Sequence, residues 1–306
     1  MGLTEQNELL RPGPWTHRDL TANGVRLHVA EAGHGPLVVL LHGFPQFWWA
    51  WRHQITALAD AGYRVVAVDL RGVGSSDKPP RPHDPVTTAG DIAGLVRALG
   101  QSQAYLVGHD LGGMVGWTMA ALHPGMVRGL AVLGAAHPRR WRHEIVRSHA
   151  QRKASAHVFA SLLPRLPEAR LTRDDAAEVE RLMRCWSGSW RDTADFASAV
   201  AIYRSAMQVP QAAYGASEYS RWMVRSLLRP DGYTFQKAMR RRLECPVLQL
   251  HGKLDPCVLP ETAHGSGAYV EADYRWQLLD DCGHFPAEEQ PDTVTHALLT
   301  WLATTK

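Results

Sequence analysis

The stretch Tyr105 to Trp117, YLVGHDLGGMVGW, constrains this chain more than any other. Tyr105, Leu106 and Val107 predict the end of a buried strand, and Gly112, Gly113 and Gly116 open a predicted helix. Between them lies Asp110, inside Gly108-His109-Asp110-Leu111-Gly112. Small residues two before and two after a central residue let a strand reverse sharply into a helix and raise one side chain above the sheet edge. A serine on such a bend performs acyl transfer. A carboxylate is a poor nucleophile toward carbonyl carbon, but it can displace a leaving group from saturated carbon and remain as an ester. The same residues also allow a plain turn with an N-capping aspartate, so the rest of the chain must decide.

The 306 residues suffice for one large domain, or one domain with an inserted lobe. A hydrophobic content of 45% and a charged content of 21% describe an ordinary globule. A net charge of +3 without a long basic run argues against nucleic acid as a partner. Arg139, Arg140 and Arg142, and Arg240 to Arg242, form clusters that a solvated face explains. The four cysteines, Cys185, Cys245, Cys257 and Cys282, show no C-x-x-C spacing and make no disulfide framework, so a reducing, cytoplasmic location is expected. Met1 to Pro14 lacks the basic start and apolar core of a signal peptide, Gln6 breaks the myristoylation pattern, and no apolar run reaches membrane-spanning length.

In chain order, Arg11 to Pro14 is a lead-in, and Trp15 to Leu20 and Val25 to Ala30 predict a hairpin turning at Asn23-Gly24. Leu37 to Leu41 predicts a strand buried on both faces, ending in His42-Gly43-Phe44-Pro45 and followed by a helix to about Ala61. Tyr63 to Val68 is the next strand, a helix spans Asp91 to Leu99, and Gly129 to Leu133 is a strand beyond the elbow helix. Alternating strands and helices predict a mostly parallel, doubly wound α/β sheet with its ligand at the carboxyl ends of the strands. From Arg139 to Arg242 no strand run occurs and helix formers dominate. This predicts a core of residues 1–138 and 243–306 with a helical insertion at 139–242. Strands resume at Pro246 to Leu250 and Tyr274 to Leu279, before a closing helix, Asp292 to Ala303.

Two later turns carry further chemistry. His251-Gly252-Lys253-Leu254-Asp255-Pro256 places Asp255 in a loop at a strand end, where a structural aspartate would form an Asx-turn. Asp280-Asp281-Cys282-Gly283-His284-Phe285-Pro286 exposes His284 after a glycine. The order Asp110, Asp255, His284 is that of nucleophile, acid and histidine in strand-end triads. The sixteen histidines include no H-E-x-x-H or Cys/His cluster, so neither metal nor organic cofactor is expected.

LLHGFPQFWWAWRHQ, DLRGVGSSDKP, VGHDLGG, HGKLD and DCGHFPAEEQPD together resemble the epoxide hydrolases of the α/β-hydrolase superfamily, from about Trp15 to the chain's end. The resemblance implies Asp110 as nucleophile, His284 as base and Asp255 as its orienting acid. It also implies that the insertion is a lid, or cap, carrying two ring-opening tyrosines. Ala201-Ile202-Tyr203-Arg204-Ser205 resembles the second tyrosine box, which makes Tyr203 a donor. At the first box His157 stands where tyrosine is expected, a departure from the family. The N–H groups of Phe44 and Leu111 are the implied oxyanion hole, with the Phe44-Pro45 peptide cis, and Phe44 and Trp48 are expected to line the substrate site.

These features imply a small, apolar epoxide and water as substrates, a vicinal diol as product, no membrane partner, and a monomer or homodimer. Two alternatives stay open. Haloalkane and fluoroacetate dehalogenases use the same aspartate, but place tryptophan or arginine after it where this chain has Leu111; HGFPQ is shared with the fluoroacetate enzymes. A non-catalytic binding relative could keep the elbow as scaffold.

Overall fold

The computed structural model describes residues 9–305; the reading of a missing signal peptide and of Gln6 falls mostly on residues outside them. Eight strands form one sheet in the order β1-β2-β4-β3-β5-β6-β7-β8. β1 (Thr16–Ala22) and β2 (Val25–Ala32) are an antiparallel hairpin, and β2 pairs antiparallel with β4 (Arg64–Val68). The hairpin turns where expected, with Asn23 at φ 50° and Gly24 at φ 78°, the two positive values that an Asn-Gly turn of type I′ supplies. All other pairings are parallel: β3 (Leu37–Leu41), β5 (Ala104–His109), β6 (Val127–Leu133), β7 (Val247–Gly252) and β8 (Tyr274–Leu279).

β3 lies between β4 and β5 and is buried at all five positions. That is why it reads as a continuous apolar run and not as an alternation. The chain leaves β3 toward one edge for β4 and returns past it to β5, so the winding reverses between β3 and β5. In open α/β sheets such a reversal leaves a crevice at the strands' carboxyl ends. The turn after β3 and the elbow after β5 both open there.

Helices cover both faces. α1 (Arg52–Asp60) is entered through a short 3-10 turn at Trp48–Trp51, and α2 (Pro85–Ala98) begins six residues before its sequence-based start. Asp84 caps α2 by accepting from the Thr87 N–H at 2.9 Å, with Pro85 in the first helical position. Both are helix-start signals that apolar spacing alone does not register. α3 (Leu111–Leu122) is the elbow helix, buried at eleven of its twelve positions. It is apolar on every side because sheet, α2 and the insertion enclose it.

Between β6 and β7 every element is helical: α4 (Pro138–Arg147), α5 (His149–Ala154), α6 (Ala156–Ala160), α7 (Leu166–Trp186), α8 (Ala194–Gln208), α9 (Ala212–Arg225) and α10 (Pro230–Ala238). α7 is interrupted at Arg173 to Ala176, where the backbone leaves helical geometry. α11 (Pro260–His264), α12 (Pro286–Glu289) and α13 (Pro291–Thr304) complete the chain. Among the described residues, no helix is long and apolar enough to cross a membrane.

Candidate active site

Asp110 occupies the bend between β5 and α3 at φ 47°, ψ −112°, a region that non-glycine residues enter only when the surroundings hold them there. The surroundings do so with backbone. The Asp110 N–H donates to Leu133 O at 3.0 Å and the Gly112 N–H to His42 O at 3.1 Å. A Cβ at Gly108 would lie 2.3 Å from Gly112 O, and one at Gly112 would lie 2.2 Å from Leu41 O. Glycine is needed at both for close approach, since neither has a positive φ.

The turn after β3 reaches over the elbow. The Phe44 N–H donates to Asp110 Oδ2 at 3.0 Å, and the Phe44-Pro45 peptide is cis. His42 braces this turn: its Nε2 accepts from the Leu70 N–H at 3.1 Å, which leaves Nδ1 to donate to Gly43 O at 3.0 Å. Leu111 is the first residue of α3, where helical N–H groups lack intrahelical acceptors. Of the two backbone donors named from the sequence, Phe44 bonds the carboxylate directly, and Leu111 follows it in the chain as the first residue of α3.

Asp255 and His284 arrive from the loops after β7 and β8. His284 Nδ1 lies 2.9 Å from Asp255 Oδ2, and its Nε2 faces Asp110 Oδ1 at 3.8 Å. The other oxygen of Asp255 accepts from the Cys257 and Val258 N–H groups at 2.8 and 3.1 Å. Burial alone would lower the His284 pKa, but the carboxylates of Asp255 and Asp110 outweigh it and push the imidazole up to about 9. Burial likewise opposes the charge on Asp255, and His284 more than compensates, holding that carboxyl below its ordinary value. The resting site thus favours an imidazolium between two carboxylates.

The same group offers a poor metal site. Asp255, Cys257 and His284 bring ligand-type atoms within 4.8 Å of one another. Burial and the carboxylates of Asp255 and Asp110 keep the Cys257 thiol protonated, whereas a metal requires thiolate. Asp255 and His284 are already committed to each other.

Asp110, His284 and Phe44 open into a cavity of about 250 Å³ roofed by the inserted helices. Its lining is mainly apolar, with Met114, Trp141, Tyr219 and Trp222 contributing large surfaces, none of which the sequence reading singled out. At the end of α7, Trp186 places its ring 5.7 Å from that of His284 and 4.8 Å from that of His157, and its carbonyl accepts the His284 N–H at 2.8 Å. His157 also lines the cavity. Its Nδ1 lies 3.2 Å from Ala154 O, so that nitrogen carries a proton, and the remaining ring nitrogen donates only when the ring is cationic. Burial lowers the His157 pKa, against the raising pull of Asp110.

Two residues expected at the site are elsewhere. Tyr203 is fully buried outside the cavity, on the α8 face shared by Phe196, Ala199, Val200, Ala206 and Met207. Its ring meets Phe47 edge-on and its hydroxyl donates to Glu288 Oε1 at 2.8 Å, so it cannot reach an epoxide at Asp110. Trp48 is also fully buried, with its indole N–H on Leu9 O at 2.9 Å and its ring against Trp15 and His17. It is core, not lining. Tyr219 does line the cavity, but its hydroxyl is held by Arg71 O and Thr88 at 3.1 and 3.3 Å, so only its ring faces a ligand.

A family model described as the alpha/beta hydrolase fold matches residues 36–291. Epoxide hydrolase 4 of Mus musculus is 31% identical over 92% of this chain and 77% of its own length. Epoxide hydrolase A of Mycobacterium tuberculosis is 32% identical over 95% of this chain and 98% of its own. The crystal structure of Epoxide Hydrolase A from Mycobacterium thermoresistibile superposes with a TM-score of 0.81 at 30% identity, covering 94% of this chain and 98% of that one. With a mixed eight-stranded sheet, an aspartate on the elbow and likeness running through nearly its whole length, the chain is a hydrolase of the α/β-hydrolase fold and belongs to the epoxide hydrolase family within it.

Proposed function

We propose that this protein hydrolyses small apolar epoxides to vicinal diols through an ester on Asp110, with residues 139–242 serving as a helical lid on a core of 1–138 and 243–306. The observation that carries the reading is the environment of one carboxylate: Asp110 has one oxygen on the Phe44 N–H, the other toward His284, and an apolar cavity in front. In the first stage Asp110 attacks a ring carbon, the C–O bond breaks, and the oxygen takes a proton. In the second, water gives a proton to His284 and attacks the ester carbonyl, whose developing charge falls to the N–H groups of Phe44 and Leu111. Asp255 keeps the imidazole oriented and stabilises its cation.

The charge pattern suits this order. Esterification consumes the Asp110 carboxylate, one of the two that hold the proton on His284. Losing it lowers the pKa of that imidazole, so the base becomes available when the ester needs it. The proton for the ring oxygen falls to His157, which lines the cavity and packs on Trp186 beside His284, acting as imidazolium. No organic cofactor or metal has a part.

Isotope labelling tests the reading. A single turnover in heavy-oxygen water should leave label in Asp110, read by peptide mass spectrometry; an unlabelled Asp110 after diol formation removes the ester. A second reading rests on the displaced Tyr203. A halide leaves without an acid donor, so a cavity with no free phenol also suits a haloalkane. Halide release with no diol from epoxides would select it.

A further inference from the structure

His109, the residue before the nucleophile, is buried with both ring nitrogens engaged. Nε2 lies 2.6 Å from the carbonyl oxygen of His284, and Nδ1 lies 2.9 Å from the end of the Gln46 side-chain amide placed as its oxygen, the nitrogen end being turned to Glu288. The far end of that amide contacts Glu288, whose other oxygen accepts from Tyr203 and Arg52. Gln46, His109 and Glu288 are all at most 3% exposed, so the chain runs from the lid through the core to the loop bearing His284.

Its protons can be counted. A carbonyl only accepts, so Nε2 of His109 carries hydrogen. An amide has one accepting and one donating end, and a half-turn exchanges them without changing its shape. If Glu288 is ionised, Gln46 donates to it and offers oxygen to His109, which must then be a cation. If Glu288 keeps its proton, it donates to the amide oxygen, the NH2 group faces Nδ1, and His109 is neutral. An ionised Glu288 with a neutral His109 leaves two acceptors opposed, so the two groups ionise as one unit.

The neutral arrangement fits the surroundings. Arg52 already has a counter-ion, since the Asp195 oxygens lie 3.2 and 3.0 Å from one of its nitrogens. Burial pushes the Glu288 carboxyl up, against the lowering pull of Arg52, and His109 down to about 4, each shift disfavouring the charged form. The other charged or titratable groups nearby are Tyr203 and His53 on the Glu288 side and Asp110, Asp255 and His284 on the His109 side. Glu289 is occupied by the N–H groups of Gly188, Gly283 and Phe285.

We propose that Glu288, as an un-ionised acid, Gln46 and His109 form a positioning relay: the acid orients the amide, the amide fixes the His109 tautomer, and the His109 Nε2–H holds the backbone of His284 beside Asp110. The relay rests on the assignment of His284 as the base. It also gives Tyr203 a role, as a donor to the acid's carbonyl oxygen instead of to substrate.

Full-length protein with Glu288→Ala, Glu288→Gln and Gln46→Leu tests it. Glu288→Ala and Gln46→Leu should slow ester hydrolysis on the order of a hundredfold, the cost of a misplaced base, with KM falling alongside kcat and kcat/KM unchanged because alkylation is untouched. Glu288→Gln keeps the acid's shape and donor but cannot ionise, so it should restore the rate. It should also lack the parent's decline with rising pH, because only the parent loses the relay proton as pH rises through the raised Glu288 pKa. Nitrogen-15 NMR of histidine-labelled parent and Glu288→Gln protein, with His109 assigned by its loss in His109→Gln, should show a neutral ring protonated at Nε2 in both. A cationic His109 in the parent, or no rescue by Glu288→Gln, overturns the relay. The NMR result stands even if the truncating variants misfold, and it decides the relay even if the parent consumes no epoxide, in which case the functional reading fails alone.

Discussion

Asp110 and His284 divide the work in a way that single substitutions separate. Asp110→Asn should abolish turnover, because an amide cannot form the ester. His284→Gln should alkylate and then stall, because the first stage does not use the base; intact-mass spectrometry with any epoxide the parent consumes should show one stable adduct. No adduct would remove the two-stage division. His157 stands where the resemblance leads one to expect a tyrosine. Its neutral ring offers the cavity a lone pair, so ring opening should weaken as pH rises through its pKa, and above that pH His157→Tyr should speed single-turnover alkylation by about a hundredfold or more, a placed proton donor contributing roughly 10²–10⁴-fold. An unchanged alkylation profile in that variant would take His157 out of the chemistry.

At the scale of elements, what could be read in advance depended on how local the cause was. The Asn23-Gly24 turn, the β3 run and the glycine-flanked elbow are dictated by neighbouring residues, and they stand where expected. The three turns bearing Asp110, Asp255 and His284 were also legible, since each follows a strand and the sheet's winding brings strand ends together. Tyr203 was not. Its motif is present, but whether a helical residue faces a cavity or the core depends on the helix's rotation, and α8 is turned by a partner, Glu288, that lies 85 residues away. The relay of Gln46 and His109 was hidden for the same reason, although both sit inside quoted motifs. A consequence follows for Tyr203→Phe. It should leave alkylation intact and cost about 0.5 to 1.5 kcal/mol of stability, for one hydrogen bond to a buried carboxyl oxygen that keeps Arg52 as its other donor. A large loss of alkylation rate with unchanged denaturant midpoint would restore the tyrosine to the site.

For the whole molecule, the His284 and Asp255 pair links catalysis to folding. His284 has a folded pKa raised to about 9, so its contribution is fully present below its unfolded value and fades as pH rises through about 9. Asp255 has a depressed folded pKa, so its contribution is present above its unfolded value and fades as pH falls through the folded one. Stability should therefore be greatest between those limits. Thermal midpoints of the parent against His284→Gln should converge above about pH 9; a constant gap across that range would show that the charge plays no part.

The bond between the Trp186 carbonyl and the amide of His284 has a mechanical corollary. A roof hinged to swing clear on every cycle would tug the base out of alignment each time, because the last residue of α7 grips the same residue that must activate water. Entry and exit are better served by a roof that stays shut and a doorway made of side chains. Arg170 and the Arg181–Glu178 ion pair, at the cavity's edge, stand where such a door would open, by parting that pair.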